Sequence, residues 1–285
     1  MSTTQPCPAW DGRIPQRLYG IIGHPLAQTL SPLLHNWGFA RLGLPASYLA
    51  FPTPPGRLGE VMAAVRALPV SGLSVTIPHK EALLPLLDEV TDLARSVGAV
   101  NTLFWREGRL VGHNTDVEGF TAPLRVLAGA GASLDSALVL GAGGAARAVM
   151  AGLAELGAGR VYVANRDPDR ARSLAEEWGA QAVPWQERAG VDARLVVNST
   201  PMGMAGKAPD LSPIPPEFWR PGRIAYDLVY NPLRTLFLRQ AEAGGAQTVD
   251  GLAMFAAQGA AQFRLWTGLE PPMDEAVGIL RQALS

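Results

Sequence analysis

The chain has 285 residues, of which 48% are hydrophobic and 17% charged, and this length predicts one large domain or two of moderate size. Its 25 acidic and 24 basic residues leave no basic surface for nucleic acid, while one cysteine and four histidines exclude a disulfide framework and argue against structural zinc. The uncharged stretch 18–40 contains prolines, amides and serine and no signal peptide precedes it, so we expect a cytoplasmic protein without a membrane span.

The first part of the chain alternates strand-like and helical patterns, which is typical of an α/β fold. We predict a disordered lead-in of about ten residues. Ser31-Pro32 predicts an N-cap followed by proline at the first helical position, and Glu107-Gly108 predicts the turn of a hairpin. Helices are predicted over 31–39, 58–65 and 83–97. Strands are predicted over 18–22, 47–51, 73–77, 100–104 and 109–114.

A second series of strands begins beyond Asp116, and we place a domain boundary near residues 117–120. A helix of about four turns follows Asp250, and another covers 273–280. Because two helices alone do not make a domain, we expect them to return and pack on the first part of the chain. The strands of the second series are predicted over 136–140, 160–165, 180–183, 195–199 and 224–228.

Residues 141–146 read GAGGAA and match the dinucleotide-binding pattern G-x-G-x-x-G/A at Gly141, Gly143 and Ala146. A buried strand precedes the motif and a helix follows it, which is the context that the pattern requires. Gly141 permits a tight turn, Gly143 lets the backbone approach a pyrophosphate, and the helix N-terminus supplies N–H groups for the anion. A tight strand–helix turn without a nucleotide is the alternative; we favour nucleotide binding on a Rossmann-like fold.

The choice of dinucleotide depends on the residues at the end of the following strand. NAD sites usually place an acid there to hold the ribose 2′-OH, whereas NADP sites place a cation near the 2′-phosphate. Asn165 occupies the position of the acid, and Arg166 and Arg170 lie nearby, which favours NADP. Asp167 leaves NAD as an alternative cofactor, unless its carboxylate caps the helix that Pro168 begins.

Polar residues also concentrate in five other segments, four of which lie at or near predicted strand ends. Since ligands bind at the carboxyl edge of open α/β sheets, these segments predict a ligand site. Each has a simpler explanation by itself: a helix cap at Ser31, turn residues at Asn101-Thr102, or a solvated side chain at Lys80. Their joint occurrence favours the ligand site. The segments are Thr29-Leu30-Ser31, residues 74–80, Asn101-Thr102, Asn114-Thr115-Asp116 and Gln258.

Further motifs follow one another along the chain: GHPLAQTLSPLLHN, GLSVTIPHKE, GAVNTL, GHNTD, GAGGAARA, NRDPDRA, NSTPMGM, YDLVYNPLRTLFL and DGLAMFAAQ. They occur in the order found in shikimate dehydrogenases, a family that the chain resembles from about residue 18 to its end. The resemblance implies an NADP-dependent reduction of 3-dehydroshikimate to shikimate, in the biosynthesis of aromatic amino acid precursors. It also implies an α/β protein of two domains. Residues 1–116 plus 251–285 would form an N-terminal α/β catalytic domain completed by C-terminal helices, and residues 117–250 a Rossmann-like NADP-binding domain.

By motif position, the resemblance implies that Lys80 and Asp116 form the catalytic pair. It implies substrate contacts from Thr29, Ser31, Thr76, Asn101, Tyr230 and Gln258. The cofactor-binding positions that it implies are Gly141, Ala142, Gly143, Gly144, Ala145, Asn165, Arg166, Arg170, Thr200, Met202, Leu228, Gly251 and Met254, the last beside the nicotinamide. We expect a small-molecule substrate, no nucleic-acid or membrane partner and no metal; monomer and homodimer both stay open.

The catalytic lysine also makes chemical sense without the family. Hydride transfer to a ketone leaves an alkoxide that needs a proton, which an ammonium can donate and a guanidinium essentially cannot. Among the 24 basic residues only Lys80 and Lys207 are lysines, so a lysine that persists at this position points to a role that arginine cannot fill. Asp116 within reach of Lys80 would orient it and bind an adjacent substrate hydroxyl.

Three positions depart from the family pattern. Thr29 replaces the first serine of a Ser-x-Ser motif, and its methyl group crowds the carboxylate end, where shikimate and quinate differ. Ser74 replaces a commoner asparagine, and Asp167 stands where NADP-specific members usually have threonine. Thr29 and Asp167 therefore keep open a quinate or dual quinate/shikimate dehydrogenase that uses NAD. A non-catalytic dinucleotide-binding regulatory protein is a further alternative, against which Lys80 and Asp116 argue.

Overall fold

The computed structural model describes residues 14–284, so the predicted disordered lead-in lies outside the described residues. The first sheet has six strands in the order β2-β1-β3-β5-β6-β4. Strands β1, β2 and β3 run parallel, and β5 is antiparallel to both of its neighbours. The strands are β1 (Arg17–Gly23), β2 (Ala46–Pro52), β3 (Val70–Val75), β4 (Glu89–Val90), β5 (Thr102–Arg106) and β6 (Arg109–His113).

Three helices accompany this sheet: α1 (Ser31–Arg41), α2 (Leu58–Ala67) and α3 (Asp92–Val97). The apolar residues of α2 recur at helical spacing, and Leu58, Met62 and Val65 are buried against the sheet residues Leu73 and Val75. The predicted hairpin forms as expected, because Glu107 and Gly108 both adopt the positive φ that its two-residue turn requires.

The second sheet is wholly parallel, with strand order β12-β11-β10-β7-β8-β9. The order of the strands reverses between β10 and β7, which is the point of a doubly wound sheet where ligands bind. Its strands are β7 (Ser136–Leu140), β8 (Arg160–Asn165), β9 (Gln181–Pro184), β10 (Leu195–Asn198), β11 (Ile224–Asp227) and β12 (Gln247–Val249).

Helices cover both faces of the second sheet. On one face, α4 (Asp116–Gly129), α5 (Gly144–Glu155) and α6 (Pro168–Glu177) pack against alternate strand residues such as Ala137 and Val139. On the other face, α7 (Leu236–Ala243) packs against the intervening residues Leu138 and Leu140. This arrangement agrees with the Rossmann-like fold that the dinucleotide motif predicts.

The C-terminal helices α8 (Gly251–Thr267) and α9 (Met273–Ala283) return to the first part of the chain, as predicted. Phe263 and Trp266 of α8 pack with Tyr19 and Phe39 in one core cluster. Helix α8 also packs closely on α4, since a Cβ atom on Gly119 would lie only 2.7 Å from the Gln258 Cβ atom. Helices α4 and α8 thus connect the two sheets.

The prediction of one helix over 83–97 is wrong. The segment contains a 3₁₀ turn at Leu84–Leu86, the short strand β4 and helix α3. The structure departs from the apolar pattern because Thr91 caps a new helix by accepting from the Ala94 N–H, and because β4 pairs with β6. Long-range pairing overrides local periodicity here.

The prediction that Ser31 is an N-cap is also wrong. The N-cap is Leu30, and Ser31 is the first residue of α1, so no side chain caps this helix. The Ser31 Oγ atom instead accepts a hydrogen bond from Thr29 Oγ1 over 3.3 Å. Within the described residues, no helix combines the length and the apolar character needed to cross a membrane.

Candidate active site

Lys80 and Asp116 form an ion pair between the two sheets. Lys80 follows β3, Asp116 begins α4, and Lys80 Nζ donates to Asp116 Oδ2 over 2.6 Å. The side chains are 14% and 6% exposed, so little water competes for either charge. The ion pair therefore holds the Lys80 ammonium in one position.

The second carboxylate oxygen of Asp116 is held as firmly as the first. Asn101 Nδ2 donates to Asp116 Oδ1 over 2.7 Å, and the Asp116 N–H donates to Asn114 Oδ1 over 3.0 Å. Asn114 Nδ2 in turn donates to the Ala99 carbonyl. Because Asn101 Nδ2 also donates to Thr115 Oγ1 over 2.9 Å, both of its N–H groups are used within the protein. In this structure Asn101 supports Asp116, and its predicted substrate contact stays a prediction.

Tyr230 brings the second half of the chain to the predicted substrate residues. It lies in the loop after β11, and its phenol interacts with the Leu30 backbone and the Thr29 side chain. Burial raises the pKa of Tyr230 above its usual value, and the nearby Leu30 backbone and Thr29 side chain partly oppose the shift. Thr29, Ser31 and Tyr230 therefore form one polar group.

Thr76 and Gln258 reach the site from a strand end and from α8. Thr76 follows β3 and is half-buried, and its carbonyl accepts from the His79 N–H one residue before Lys80. Gln258 lies against Gly119, one helical turn beyond Asp116 on α4. Its Nε2 donates to the Phe255 carbonyl over 3.0 Å, and Gln258 is half-buried. The structure thus places Gln258 one helical turn from Asp116, and the predicted substrate contacts of Thr76 and Gln258 stay predictions.

The glycine motif forms the turn between β7 and α5. Gly141 has a φ of 113°, and a Cβ atom there would collide with Ser199 Oγ, so only glycine fits. Gly143 is the N-cap of α5 with open space beside its Cα atom, and no side chain caps the helix. A Cβ atom on Gly144 would lie 3.3 Å from the Lys80 Cβ atom. The uncapped helix N-terminus, which suits a pyrophosphate, therefore adjoins the ion pair.

The end of β8 carries the predicted determinants of cofactor choice. Asp167 Oδ1 accepts from the N–H groups of Asp169 and Arg170 over 3.0 and 3.3 Å, so the carboxylate caps α6. Asn165 Nδ2 donates to the Asp167 carbonyl over 3.1 Å. The side chains of Arg166 and Arg170 are exposed. A carboxylate turned toward its own helix repels a nearby phosphate less than one that faces it.

Two buried polar residues that sequence reasoning missed organise the loops after β10 and β11. Asn198 Oδ1 accepts from the Thr200 N–H and Oγ1, and its Nδ2 donates to the Met202 carbonyl and to Asp227 Oδ1. Asp227 also accepts from the Val229 N–H over 3.0 Å and from Thr235 Oγ1 over 2.6 Å. Burial raises the pKa of Asp227 to about 7. Both residues end strands, so their position was the available signal.

Three predicted cofactor-binding residues lie near these loops, namely Leu228, Gly251 and Met254. The Leu228 N–H donates to the Asn198 carbonyl over 2.9 Å. A Cβ atom on Gly251 would lie 2.6 Å from the Val229 carbonyl oxygen, so α8 begins in close contact with the loop after β11. Met254 is 8% exposed and belongs to the core cluster of the second sheet. Its predicted contact with the nicotinamide stays a prediction.

Comparisons with known families cover most of the chain. The shikimate dehydrogenase substrate binding domain matches residues 21–103, shikimate/quinate 5-dehydrogenase matches residues 128–197, and the shikimate 5′-dehydrogenase C-terminal domain matches residues 251–284. A protein of Oleidesulfovibrio alaskensis named shikimate dehydrogenase (NADP(+)) is 55% identical over 96% of this chain and 98% of its own.

Solved structures of dehydrogenases are also similar to this chain. Shikimate 5-dehydrogenase from Thermus thermophilus, in complex with NADP(H) and shikimate, has 46% identity and a TM-score of 0.84, covering 94% of this chain and 100% of its own. Quinate dehydrogenase from Corynebacterium glutamicum, in complex with NAD, also has a TM-score of 0.84 but 34% identity, covering 92% and 97%. Of these two structures, the shikimate enzyme is therefore the more similar in sequence.

Proposed function

The chain belongs to the shikimate dehydrogenase family, and from this premise we propose that it catalyses the NADPH-dependent, reversible reduction of 3-dehydroshikimate to shikimate. The observation that carries the proposal is the buried ion pair of Lys80 and Asp116 beside the uncapped N-terminus of α5. It brings a proton donor to the place where the dinucleotide motif would hold a cofactor.

In the proposed mechanism the nicotinamide, when bound, supplies the hydride that reduces the ketone. Lys80 Nζ donates a proton to the alkoxide oxygen that forms at the same carbon. Asp116 keeps the ammonium directed at that oxygen and accepts a hydrogen bond from the neighbouring ring hydroxyl. In the reverse direction the neutral amine of Lys80 takes the proton from the hydroxyl of shikimate.

We assign the substrate carboxylate to the group formed by Thr29, Ser31 and Tyr230. Their hydroxyls are close to one another, and hydroxyl groups bind a ring carboxylate without adding a charge. Thr76, Asn101 and Gln258 then remain for the ring hydroxyls and the ketone end. A site that hydrogen-bonds several hydroxyls rejects analogues that lack them, because its own polar groups would be left unpaired.

We assign NADP to the carboxyl edge of the second sheet. The residues present fit it: the N-terminus of α5 is open and uncapped, and two exposed arginines follow β8. Arg166 and Arg170 would pair with the 2′-phosphate, with Asn165 beside them. Thr200, Met202, Leu228, Gly251 and Met254 would line the nicotinamide side, and Gly141, Ala142, Gly143, Gly144 and Ala145 the pyrophosphate.

The division into domains follows the same assignment. Residues 1–116 plus 251–285 would bind the substrate, and residues 117–250 would bind NADP. Helix α5 is joined to the end of α3 by a hydrogen bond from Arg147 Nε to the Val97 carbonyl, at 2.6 Å. We further propose a cytoplasmic enzyme that acts on a small-molecule substrate as a monomer or a homodimer.

A turnover assay with each cofactor and each ring ketone tests the proposal. We expect the highest kcat/KM with NADPH and 3-dehydroshikimate. A higher kcat/KM with NADH and 3-dehydroquinate would instead identify a quinate dehydrogenase. Binding of both ligands without turnover would identify a dinucleotide-dependent regulatory protein.

A further inference from the structure

Gln262 of α8 lies in the middle of a continuous series of buried hydrogen bonds. Its Nε2 donates to Thr102 Oγ1 over 3.0 Å and to the Asn101 carbonyl over 3.1 Å. On its other side, Oε1 accepts from Ser74 Oγ over 2.7 Å, and Ser74 Oγ accepts from Tyr48 Oη over 2.6 Å. Gln262 is 2% exposed, so each of these bonds is made away from water.

All side-chain bonds in the series point the same way, toward Asp116. A carboxylate only accepts, so Asn101 presents its NH₂ group to Asp116 Oδ1. The Asn101 Oδ1 atom then faces Thr102, whose hydroxyl donates to it over 2.7 Å. The Thr102 oxygen therefore accepts from Gln262 Nε2. The Gln262 Oε1 atom in turn accepts from Ser74 Oγ. The orientation of each amide is therefore set by its neighbour.

Gln262 is the member that keeps the Thr102 hydroxyl aimed at Asn101. Thr102 Oγ1 also lies 3.3 Å from Thr115 Oγ1, so without Gln262 its hydroxyl has a competing acceptor. If it turned there, Asn101 Oδ1 would keep its bond from the Thr115 N–H, at 2.7 Å, but would lose its bond from Thr102, so the amide that faces Asp116 would be held less firmly. Asp116 would then hold Lys80 in a less well-defined position.

Packing of α8 does not explain a buried amide at this position. Phe263 and Trp266 anchor the helix in the aromatic cluster, and Trp266 Nε1 donates to the Leu103 carbonyl over 2.9 Å. Gln262 also lies near His35, which stacks on Tyr48; burial lowers the pKa of His35 to about 3, and Gln262 only partly opposes this shift, so the imidazole is uncharged at neutral pH and does not require a charged partner. Burying an amide is costly unless its hydrogen bonds are used, and an apolar residue would serve packing alone.

We propose that Gln262 is a positioning residue, which fixes the Asp116 carboxylate through Thr102 and Asn101 and thereby orients Lys80. The inference rests on the proposed function, in which Lys80 and Asp116 carry out the proton transfer.

A double-mutant cycle with Gln262→Met and Asp116→Asn tests this role. We expect Gln262→Met to lower kcat about 10-fold with KM nearly unchanged, because a small misplacement of a catalytic group is enough for such a loss. In the Asp116→Asn background the same substitution should lower kcat by less than about twofold, since the group that Gln262 positions is already altered. Equal losses in both backgrounds would overturn the proposal and leave a structural role.

Two further variants keep the test decisive. Thr102→Val interrupts the series without changing α8, so it should show the same coupling to Asp116→Asn if Gln262→Met fails to fold. Gln240→Met removes a partly buried glutamine amide from α7, remote from the ion pair, and should leave kcat unchanged. Calorimetry with shikimate separates the two failures: a wild type that binds shikimate without turnover would overturn the proposed reaction, whereas equal kcat losses in a wild type that turns over would overturn this inference.

Discussion

In the substrate half of the candidate site, the polar side chains hold one another, whereas in the cofactor half the charged side chains extend from a backbone turn into solvent. Lys80 and Asp116 are 14% and 6% exposed and are linked to Asn101 by short hydrogen bonds. Arg166 and Arg170 follow the end of β8 and are exposed. The turn that carries them is organised by the Asp167 carboxylate, which caps α6.

This difference separates two ways of building a site. Buried side chains that are positioned before the ligand arrives act on the transition state, so their loss should appear in kcat. Exposed arginines gain their contacts only when the phosphate binds, and their loss should appear mainly in KM. Substitutions in both halves test this division, and the expected effects decrease from Lys80 to Asp167.

Lys80→Ala should have the largest effect. We expect kcat to fall about 10³-fold, within the usual range for a lost general acid, while both KM values change little. Lys207→Ala is the matched control, because Lys207 is exposed and is the other lysine of the chain. Steady-state kinetics with both variants measure the effect, and an unchanged kcat for Lys80→Ala would refute the assignment.

Asp116→Asn keeps the shape of the side chain and removes the charge that holds the ammonium. We expect kcat to fall about 10²-fold because Lys80 is no longer held in one position. Thermal unfolding of the same sample provides the control. A variant that unfolds at lower temperature but turns over at the wild-type rate would show that Asp116 has a structural role instead.

Asp227→Asn tests whether the cofactor half has a buried anchor of its own. The amide must face Thr235 Oγ1 with an N–H group, so we expect a loss of about 1–3 kcal/mol in the free energy of unfolding near pH 5. In the folded protein the pKa of Asp227 is raised to about 7. The protonated side chain therefore stabilises the folded state fully when the pH lies below the ordinary pKa of an aspartate, and this contribution is lost as the pH rises through 7. Urea unfolding should therefore show a smaller deficit of the variant at pH 8 than at pH 5. A deficit that grows with pH would mean that the carboxylate is favoured in the folded state.

Arg166→Ala should weaken the binding of NADPH without slowing the chemical step. One charge-assisted contact to the 2′-phosphate corresponds to about a 10-fold increase in the KM for NADPH, with the KM for NADH unchanged. Arg172→Ala is the control on the adjoining helix α6, because the Arg172 guanidinium pairs with Asp169. Equal effects on both cofactors would place Arg166 away from the phosphate.

Asp167→Thr should have the smallest effect. Because the carboxylate already caps α6, we expect the preference for NADPH over NADH, as a ratio of kcat/KM values, to increase only about twofold to threefold. A wild type that prefers NADH, together with a variant that prefers NADPH, would show that Asp167 binds the ribose. The division between the two halves would then need revision, since an exposed residue would decide specificity.

The sequence was sufficient for the parts of the fold that depend on local pattern. The strand before GAGGAA, the turn at Gly141 and the cap at Asp167 each follow from a residue type at a fixed spacing, and the structure contains all three. The pattern failed over residues 83–97, where Leu83, Leu86, Leu87, Val90 and Val97 suggested one helical face. There the pairing of β4 with β6, which local periodicity does not encode, decides the backbone.

The sequence by itself determined the chemistry available to the protein. It contains a lysine in a polar segment of a chain whose basic residues are nearly all arginines, an aspartate after a strand, and a glycine turn before a helix. Only the tertiary structure decided which of these groups meet. Lys80 and Asp116 are 36 residues apart in the chain, and Gln262 is 160 residues from Thr102, yet each pair is joined by a hydrogen bond. The reason is physical, because a hydrogen bond is effective only over about 3 Å, and such closeness between distant residues arises from the packing of whole elements.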